Sequence, residues 1–523
     1  MKINNIDFSL RVFLCPSWIL LSAFILTVFI PPASPAQTKT VFSVRYYGAK
    51  GDGKAIDSPA INSAIEAASE YGGGTVYFPA GDYLTGSIRL RSNITLYLDN
   101  GCTLIAVSEN PELNYDQAEK SVNDIYQDYG HSHWHNGLIW GDSLHDISIV
   151  GQGKIYGKGL LKDWAKESKT ADKTISLYRC RNVLLRDFTI AHGGWFAILA
   201  AGVDNLTLDN LKIDTNRDGV DIDCCRNVRV SNLSINSPYD DGLCLKSTFA
   251  LGYARATENV TITNCQVSGY DEGTLLDGTY KRSQNPDYGL HPTGRIKFGT
   301  ESNGGFKNIA ISNCVFDYCR GFALEAVDGG ILEDVTITNI TMRDIVNDPI
   351  FLRIGARMRG PAGTPVGTIR RIAMGNIIVY NADPSYSCTI AGLPGHPIEH
   401  IQLNNVRVYY KGGGAKEKSE GEIPENETKY PEPGMFGVAP AYGLFVRHAK
   451  DIALSGVEFN VLKPDERTGL MFDDVDGVDL RNVTVQRTDS SNAVVLKNVK
   501  HFNVLQSKGI EDQKIESVKE KKF

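Results

Sequence analysis

The amino-acid sequence predicts an all-β protein, a right-handed single-stranded parallel β-helix with an N-terminal capping helix. Three observations support this fold: short period-2 runs dominate after residue 75, helical patterns are rare, and one phrase recurs. In that phrase an asparagine precedes alternating aliphatic residues, and its clear copies occupy residues 182–190, 205–213, 227–235, 259–267 and 308–316. The first three copies begin 23 and then 22 residues apart, a period typical of a solenoid.

The N-terminal region contains a targeting signal and then the predicted cap. Lys2 and Arg11 precede an apolar run over 12–30 and a Pro/Ala/Ser stretch, which predicts a signal peptide over 1–36 and a secreted or periplasmic, cell-envelope protein. A single membrane anchor is the alternative; otherwise we expect no stable membrane insertion after cleavage. From Ser58-Pro59 to a run of three glycines, the pattern predicts a helix that closes the end of the stack.

The rest of the chain divides into a β-helix catalytic domain over residues 37–506 and a charged C-terminal tail over 507–523, which we expect to be frayed. Three insertions interrupt the coils at 108–136, 270–292 and 411–436, and the third looks polar and mobile. The insertions at 108–136 and 270–292 would block one end of a groove along the coils, which favours exo action or short oligosaccharides.

Composition excludes several classes of function. A net charge of −7 argues against a nucleic-acid partner. The ten cysteines have no regular spacing, so we interpret them as small buried hydrophobes rather than disulfides or metal ligands, and we expect no cofactor and no metal. Seven Asn-x-Ser/Thr sequons arise mostly from the repeat, and we interpret them first as a ladder of stacked asparagines and second as glycosylation acceptors. We expect a monomer.

Three carboxylates have the spacing of one coil. Asp218 lies 22 and 23 residues before Asp240 and Asp241, so the three would stack one rung apart, and Gly219 would allow a ligand to approach closely. Acids that share a site shift each other's pKa values, so one can stay protonated while another is ionised, as glycoside hydrolysis requires. An Asp/Asn ladder at turns, or a calcium site, is the structural alternative.

These residues also carry a family resemblance. Residues 216–221 read Asn-Arg-Asp-Gly-Val-Asp and residues 240–247 read Asp-Asp-Gly-Leu-Cys-Leu-Lys-Ser, a pairing that resembles the polygalacturonases and rhamnogalacturonases of glycoside hydrolase family 28. Residues 46–53 and 72–81 look like the N-terminal region of the pectin-acting β-helix superfamily. The likeness spans residues 41–345, and more loosely the chain to residue 500.

The resemblance implies an inverting glycoside hydrolase that cleaves galacturonic-acid-containing, pectic polysaccharide or oligosaccharide. Asp240 is then the general acid, while Asp218 and Asp241 hold and deprotonate the attacking water. Asn216 and Lys246 belong to the same motifs and are expected to bind substrate. One-coil spacing lies near the lower edge of the usual inverting separation, so the stereochemistry rests on the resemblance.

The sequence departs from the family where the substrate carboxylate is bound. The family's polygalacturonases carry Gly-His-Gly and, one coil later, an Arg-Ile-Lys that grips galacturonate; here the matching phrases contain no histidine and no such cation, and Glu325 would repel a carboxylate. Two explanations stay open. Arg295 and Lys297 replace the clamp from the neighbouring coil, or the sugar beyond the cleavage point is neutral, such as rhamnose, which we slightly favour.

Aromatic and histidine side chains complete the predicted groove. We expect His133, together with its neighbours His131 and His135, to contact sugar rather than a metal, because no carboxylate lies nearby in phase. Trp195 is expected to stack on a pyranose face, with burial at a loop base as the equal alternative.

Two other functions fit the same fold. A polysaccharide lyase would need calcium-binding acids and a basic residue, and a non-catalytic carbohydrate-binding β-helix, such as an adhesin, would need neither. Calcium-dependent release of unsaturated ends would identify the first, and full activity of Asp240→Asn would favour the second.

Overall fold

The computed structural model describes most of the chain after residue 39, namely residues 40–108, 115–162, 170–283, 292–416 and 421–523. The predicted signal peptide, residues 1–36, lies outside the described residues. Within that part of the chain, no helix has both the length and the apolar character needed to cross a bilayer.

The N-terminal cap is the helix α1 (Ser58–Glu70), as predicted. Its buried face contains Ile61, Ala64, Ile65 and Ala68, which are fully inaccessible to solvent and spaced at intervals of three and four residues. Pro59 lies in the first turn, where a missing N–H breaks no helical hydrogen bond. Since the first coil would otherwise expose its apolar cross-section, this face closes the core.

Thirty-six strands form one continuous β structure in the described part of the chain. The first nineteen are β1 (Val41–Ser43), β2 (Asp52–Ile56), β3 (Gly74–Phe78), β4 (Gly81–Thr85), β5 (Ile88–Arg89), β6 (Ile94–Leu98), β7 (Cys102–Ala106), β8 (Gly137–Asp142), β9 (His145–Val150), β10 (Lys154–Tyr156), β11 (Lys173–Tyr178), β12 (Arg181–Arg186), β13 (Thr189–Ala191), β14 (Phe196–Ala201), β15 (Asp204–Asp209), β16 (Lys212–Asp214), β17 (Asp218–Asp223), β18 (Arg226–Ser231) and β19 (Ser234–Asn236). The others are β20 (Leu243–Ser247), β21 (Thr257–Thr263), β22 (Gln266–Ser268), β23 (Ile296–Ser302), β24 (Phe306–Asp317), β25 (Phe322–Ala326), β26 (Ile331–Arg343), β27 (Ile350–Ile354), β28 (Thr368–Ala382), β29 (Cys388–Ala391), β30 (Ile398–Tyr410), β31 (Ala441–Ser455), β32 (Glu458–Val461), β33 (Thr468–Arg481), β34 (Thr484–Val485), β35 (Val494–Leu505) and β36 (Gln513–Lys522).

Each middle coil contributes three strands, and equivalent strands of successive coils pair in parallel. We name the series β11, β14, β17, β20, β23, β25, β27 and β29 the front sheet. On β17 the core side chains Val220 and Ile222 alternate with Asp221 and Asp223, so the acids face outward from the core. Parallel coiling with an apolar interior confirms the predicted β-helix.

Stacked asparagines mark the corners, as the repeat predicted. The amide of Asn205 donates to Asn182, Asn227 donates to Asn205, and Asn259 donates to Asn227, over distances of 2.9 to 3.3 Å. Each of these four residues has φ between 56° and 58°, a left-handed conformation that asparagine tolerates better than most residues. The asparagine therefore supplies both the bend of the chain and the hydrogen bond between coils.

The cysteines of the described residues are free and buried, from Cys102 to Cys388, which confirms their interpretation as small core side chains. The C-terminal tail differs from the expectation of fraying. Residues 513–522 form β36, which runs antiparallel to β35, while Ile515, Val518 and Phe523 pack against the end of the core. The apolar residues are few, but these three contact the core, so a single strand can cover the last coil.

Candidate functional site

The three predicted carboxylates meet on the front sheet. Asp218 begins β17, and Asp240 and Asp241 lie in the turn before β20, one rung further along. One carboxylate oxygen from each residue lies within 4.8 Å of the others. The coil period predicted from the sequence therefore does bring these acids together.

The structure explains the glycine at position 219 differently from the prediction that it lets a ligand approach. A Cβ built on Gly219 would lie 2.3 Å from the carbonyl oxygen of Gly242 and 2.6 Å from a methyl of Ile235. The backbone N–H of Gly219 also donates to the Asp241 carbonyl at 3.0 Å. The glycine thus allows two coils to approach each other beside the acids, and the close contact is with the protein's own backbone.

The acids differ in exposure and in charge environment. The side chain of Asp240 is 27% exposed, whereas that of Asp241 is 3% exposed and Asp218 as a whole is 5% exposed. Burial, reinforced by the negative charges of Asp240 and Asp221, raises the pKa of Asp218 well above its ordinary value. A proton is therefore favoured on the Asp218 carboxyl at pH values where an exposed aspartate is ionised.

Asp241 is held ionised by two cations of the next coil. Arg295 Nε donates to Asp241 Oδ1 at 2.8 Å, and Lys297 Nζ lies 3.2 Å from Oδ2. Burial by itself would raise the pKa of Asp241, but the charges of Lys297, Arg295 and Lys246 outweigh it and hold that pKa well below its usual range. The two cations predicted to bind a substrate carboxylate thus bind a protein carboxylate here.

Lys246 lies against a buried carboxylate that the sequence did not single out. Its Nζ contacts Glu301 Oε2 at 2.9 Å, and Glu301 also receives the guanidinium of Arg359 and lies 3.6 Å from Arg357. Burial opposes ionisation of Glu301, yet Lys246, Arg357 and Arg359 hold its pKa well below the ordinary value. Glu301 therefore positions Lys246 beside the acids.

The first insertion covers the outward carboxylates of β17. His131 is buried, with Nε2 at 3.5 Å from Asp221 Oδ2 and Nδ1 at 3.4 Å from Asp223 Oδ2. Burial raises the pKa of Asp221 to about 7, against the opposing charges of Lys246 and His131. Asp223 also accepts hydrogen bonds from the N–H and the hydroxyl of Thr248.

The histidines of this insertion have carboxylate partners, contrary to the expectation that none lay nearby. His133 Nε2 is 2.9 Å from Asp124, and His135 Nδ1 is 2.7 Å from Glu119. His133 is only 1% exposed, so in this structure its ring fastens the insertion and offers almost no surface to a sugar. Both partners lie within the same insertion, which is why strand periodicity gave no sign of them.

Glu272, from the second insertion, contacts the coil that precedes the three acids. Glu272 accepts from His192 Nδ1 at 2.8 Å and from Asn216 at 3.4 Å, so Asn216 is tied to this insertion. Trp195 is 4% exposed and stacks on Phe196, which corresponds to the burial alternative for this residue. The guanidinium of Arg217 lies 5.6 Å from the Trp195 ring.

Arg217 links this wall to the acids because its Nη2 donates to Asp240 Oδ2 at 2.7 Å. Arg217 occurs within the first motif, but nothing in its spacing predicted the pairing.

The third insertion returns to the site. Tyr430 OH lies 3.0 Å from Lys297 Nζ, and Glu432 accepts from Arg295 and from Arg320. Glu325, fully buried, lies 3.8 Å from Lys297, and burial raises its pKa to about 7 against the charges of Lys297 and Arg295. These residues belong to the excursion predicted to be polar and mobile, and they contact both predicted substrate-binding cations.

Comparison with known proteins gives two family models. Residues 41–137 match the model "Rhamnogalacturonase A/epimerase, pectate lyase-like", and residues 167–294 match the model of a right-handed β-helix region. The second model covers the strands that present the three acids and agrees with the predicted handedness.

Similar proteins include hydrolases of pectic polymers. The chain is 24% identical over 398 residues to a probable polygalacturonase of Vitis vinifera, covering 69% of this chain and 73% of that protein. It is 28% identical over 286 residues to an exo-poly-α-D-galacturonosidase of Dickeya chrysanthemi, covering 53% of this chain and 40% of that protein. Among solved structures, a family 28 exopolygalacturonase of Yersinia enterocolitica superposes with a TM-score of 0.59 and 19% identity, over 90% of this chain and 79% of that one.

That structural likeness shows the fold, while the sequence relatives carry the enzymatic resemblance. Together they confirm the recognition made from the motifs at 216–221 and 240–247: the chain is a glycoside hydrolase that resembles polygalacturonases.

Proposed function

We propose that this protein hydrolyses galacturonic-acid-containing, pectic polysaccharide or oligosaccharide with Asp218, Asp240 and Asp241 as the acid/base machinery. The observation that carries the proposal is the unequal charge environment of three adjacent carboxylates. Asp241 is held ionised by Arg295 and Lys297, while burial favours the protonated form of Asp218. Glycosidic hydrolysis needs one carboxyl that gives a proton and one carboxylate that activates water.

The exposures support the roles implied by the resemblance. Asp240 is the most exposed of the three acids, so its carboxyl is the one that a glycosidic oxygen can reach from the groove. Asp218 and Asp241 are more buried, and we assign them different parts of the water-activating role: the ionised Asp241 accepts the proton of the attacking water, and the protonated Asp218 holds that water by a hydrogen bond. Inversion is inferred from the resemblance, because oxygens within 4.8 Å are closer than the roughly 6.5–9.5 Å usual between inverting carboxyl groups.

Exo action and secretion are further parts of this proposal. Two insertions contribute walls beside the acids, through His131 on one side and Glu272 on the other. Walls of this kind favour the end of a chain over its middle, and one sequence relative is named as an exo-acting enzyme. The N-terminal apolar run supports export across a membrane.

The test is hydrolysis of polygalacturonate and of rhamnogalacturonan by the purified protein, with products sized over time and their anomers followed by NMR. Asp240→Asn should lower kcat by about 10²–10⁴, the usual contribution of general acid–base catalysis. The matched control is Asp209→Asn: Asp209 is a ladder acid that accepts from Ser231 and Asn232, away from the site, and its replacement should preserve kcat.

Several outcomes would refute the proposal. Full activity of Asp240→Asn, or a wild type inert on every pectic fraction, would exclude this acid/base mechanism. Products with unsaturated ends would indicate lyase chemistry instead. Long products released early would contradict only the exo action, and retention of the anomeric configuration would contradict only the inversion; the acid/base mechanism would stand in both cases.

A further inference from the structure

Residues 421–440 form a segment that lies across the outer face of the front sheet. The Arg353 guanidinium donates to the Glu425 carbonyl, and the Ala356 N–H donates to the Glu427 carbonyl at 2.6 Å. Phe436 packs against Ala323, Phe351 and Ala391, which project from three successive rungs. The segment is therefore anchored by its backbone and by an apolar contact beside the catalytic acids.

Glu432 is the charged residue of this segment that enters the site. Its carboxylate accepts from both terminal nitrogens of Arg295, from Arg320 Nη1 at 2.9 Å and from Asn347 Nδ2 at 3.1 Å. Arg295 is 2% exposed and the Glu432 side chain is 24% exposed. An arginine fork of this geometry is the usual binding group for a carboxylate, and here the protein supplies that carboxylate itself.

Lys297 has protein partners on each side. Its ammonium lies 3.2 Å from Asp241, 3.8 Å from Glu325 and 3.0 Å from the hydroxyl of Tyr430. Arg295 is likewise shared between Asp241 and Glu432. A carboxylate arriving on the substrate would therefore meet cations that are already neutralised, with the ionised carboxylate of Glu432 close by to repel it.

Tyr430 gives the same segment an apolar surface. Thr300 and Lys297 both bind its hydroxyl at 3.0 Å, and 54% of the residue is exposed. The Lys297 ammonium lies 5.3 Å from the centre of the ring, and the exposed remainder of the ring suits the C–H surface of a pyranose, which carries no charge.

We propose that Glu432 is a specificity-determining residue whose carboxylate occupies the Arg295–Arg320 pair and so reserves this part of the site for a neutral sugar. The inference rests on the proposed function, since it assigns a sugar class to one position of that substrate. Galacturonosyl units bind elsewhere along the chain. The segment supplies both elements of the choice: Glu432 excludes a uronate, and Tyr430 accepts a neutral ring.

The direct test is a binding measurement that does not depend on hydrolysis. Calorimetric titration with galacturonate and with galactose should be compared for the wild type, Glu432→Gln and Glu427→Gln. Freeing one guanidinium for a charge-assisted hydrogen bond should raise the affinity for galacturonate about 10-fold or more, with galactose unchanged. Glu427 is the matched control, because it is an exposed acid of the same segment and its replacement should alter neither affinity.

A second variant protects the test if Glu432→Gln does not fold. Asn347→Ala removes one donor to Glu432 while keeping its charge, and it should raise galacturonate affinity by a smaller factor, about 3-fold. No gain in either folded variant, or a wild type that binds galacturonate more tightly than galactose, would overturn the inference. If only the proposed function is wrong, the protein will not hydrolyse pectin, but the variants will still show the predicted differences in galacturonate binding.

Discussion

Asp221 and Asp223 are two buried carboxylates on one strand, and the structure predicts opposite effects for their replacement. Both are fully inaccessible to solvent and both lie within 3.5 Å of a nitrogen of His131. Within the described residues neither oxygen of Asp221 accepts a hydrogen bond, whereas Asp223 is bound by Thr248 at 2.6 and 2.9 Å. Asp221→Asn should therefore stabilise the protein at neutral pH, and Asp223→Asn should destabilise it.

The magnitude follows from the pKa of Asp221. Burial raises it from 3.8 to about 7, so between these values the native state retains a proton that the unfolded chain has released. The contribution of this group to stability therefore decreases as pH rises through that window. A rise of the Asp221 pKa from 3.8 to about 7 corresponds to about 4 kcal/mol, which Asp221→Asn should recover at pH 8 and not at pH 4.

Asp223 has the reverse dependence. Burial would raise its pKa, but the hydrogen bond and charge of His131, with the Thr248 hydrogen bonds, lower it below the ordinary value. Its ionised form thus stabilises the native state above the unfolded pKa, and this contribution is lost as pH falls through the lower folded value. Leaving His131 and Thr248 without this carboxylate should cost about 3–5 kcal/mol at pH 8.

Guanidinium denaturation at several pH values between 4 and 8, followed by circular dichroism, measures both effects. The midpoint of Asp221→Asn should exceed that of the wild type increasingly as pH rises, while the midpoint of Asp223→Asn should fall below it. The same sign for both variants at pH 8, or an Asp221→Asn advantage independent of pH, would refute the reasoning.

Three other predictions concern the surroundings of the acids and the asparagine ladder. Glu301→Gln leaves Lys246 without its buried partner, so stability should fall by about 3–5 kcal/mol together with kcat/KM; an unchanged melting curve would contradict this. Asn205→Ala should cost about 1–2 kcal/mol in denaturant titrations, because it loses two ladder hydrogen bonds and keeps a positive φ, and Asn205→Gly should cost less because glycine tolerates that φ. Glu272→Gln releases His192 and Asn216 and should raise KM about 3–10-fold with little change in kcat; an unaltered KM would exclude this wall from binding.

The features that the sequence predicted well are those that repeat. The strand period and the capping helix depend on residues that are close in the chain, and the corner asparagines bond between adjacent rungs. Because every coil uses the same local pattern, the sequence shows it several times. The same period brings Asp218 to Asp240 and Asp241, because a displacement of one coil becomes a displacement of one rung.

Part of the environment of those acids was decided by the insertions, which follow no period. Glu432 reaches Arg295 across 137 residues, and His131 crosses to Asp221 from the first insertion. Long-range pairings of this kind depend on where a loop returns, and local residue preferences do not encode that position. The sequence by itself thus determined the coil and the three acids on it, while only the tertiary structure decided which carboxylates are neutralised, which are kept protonated, and which cations remain for a substrate.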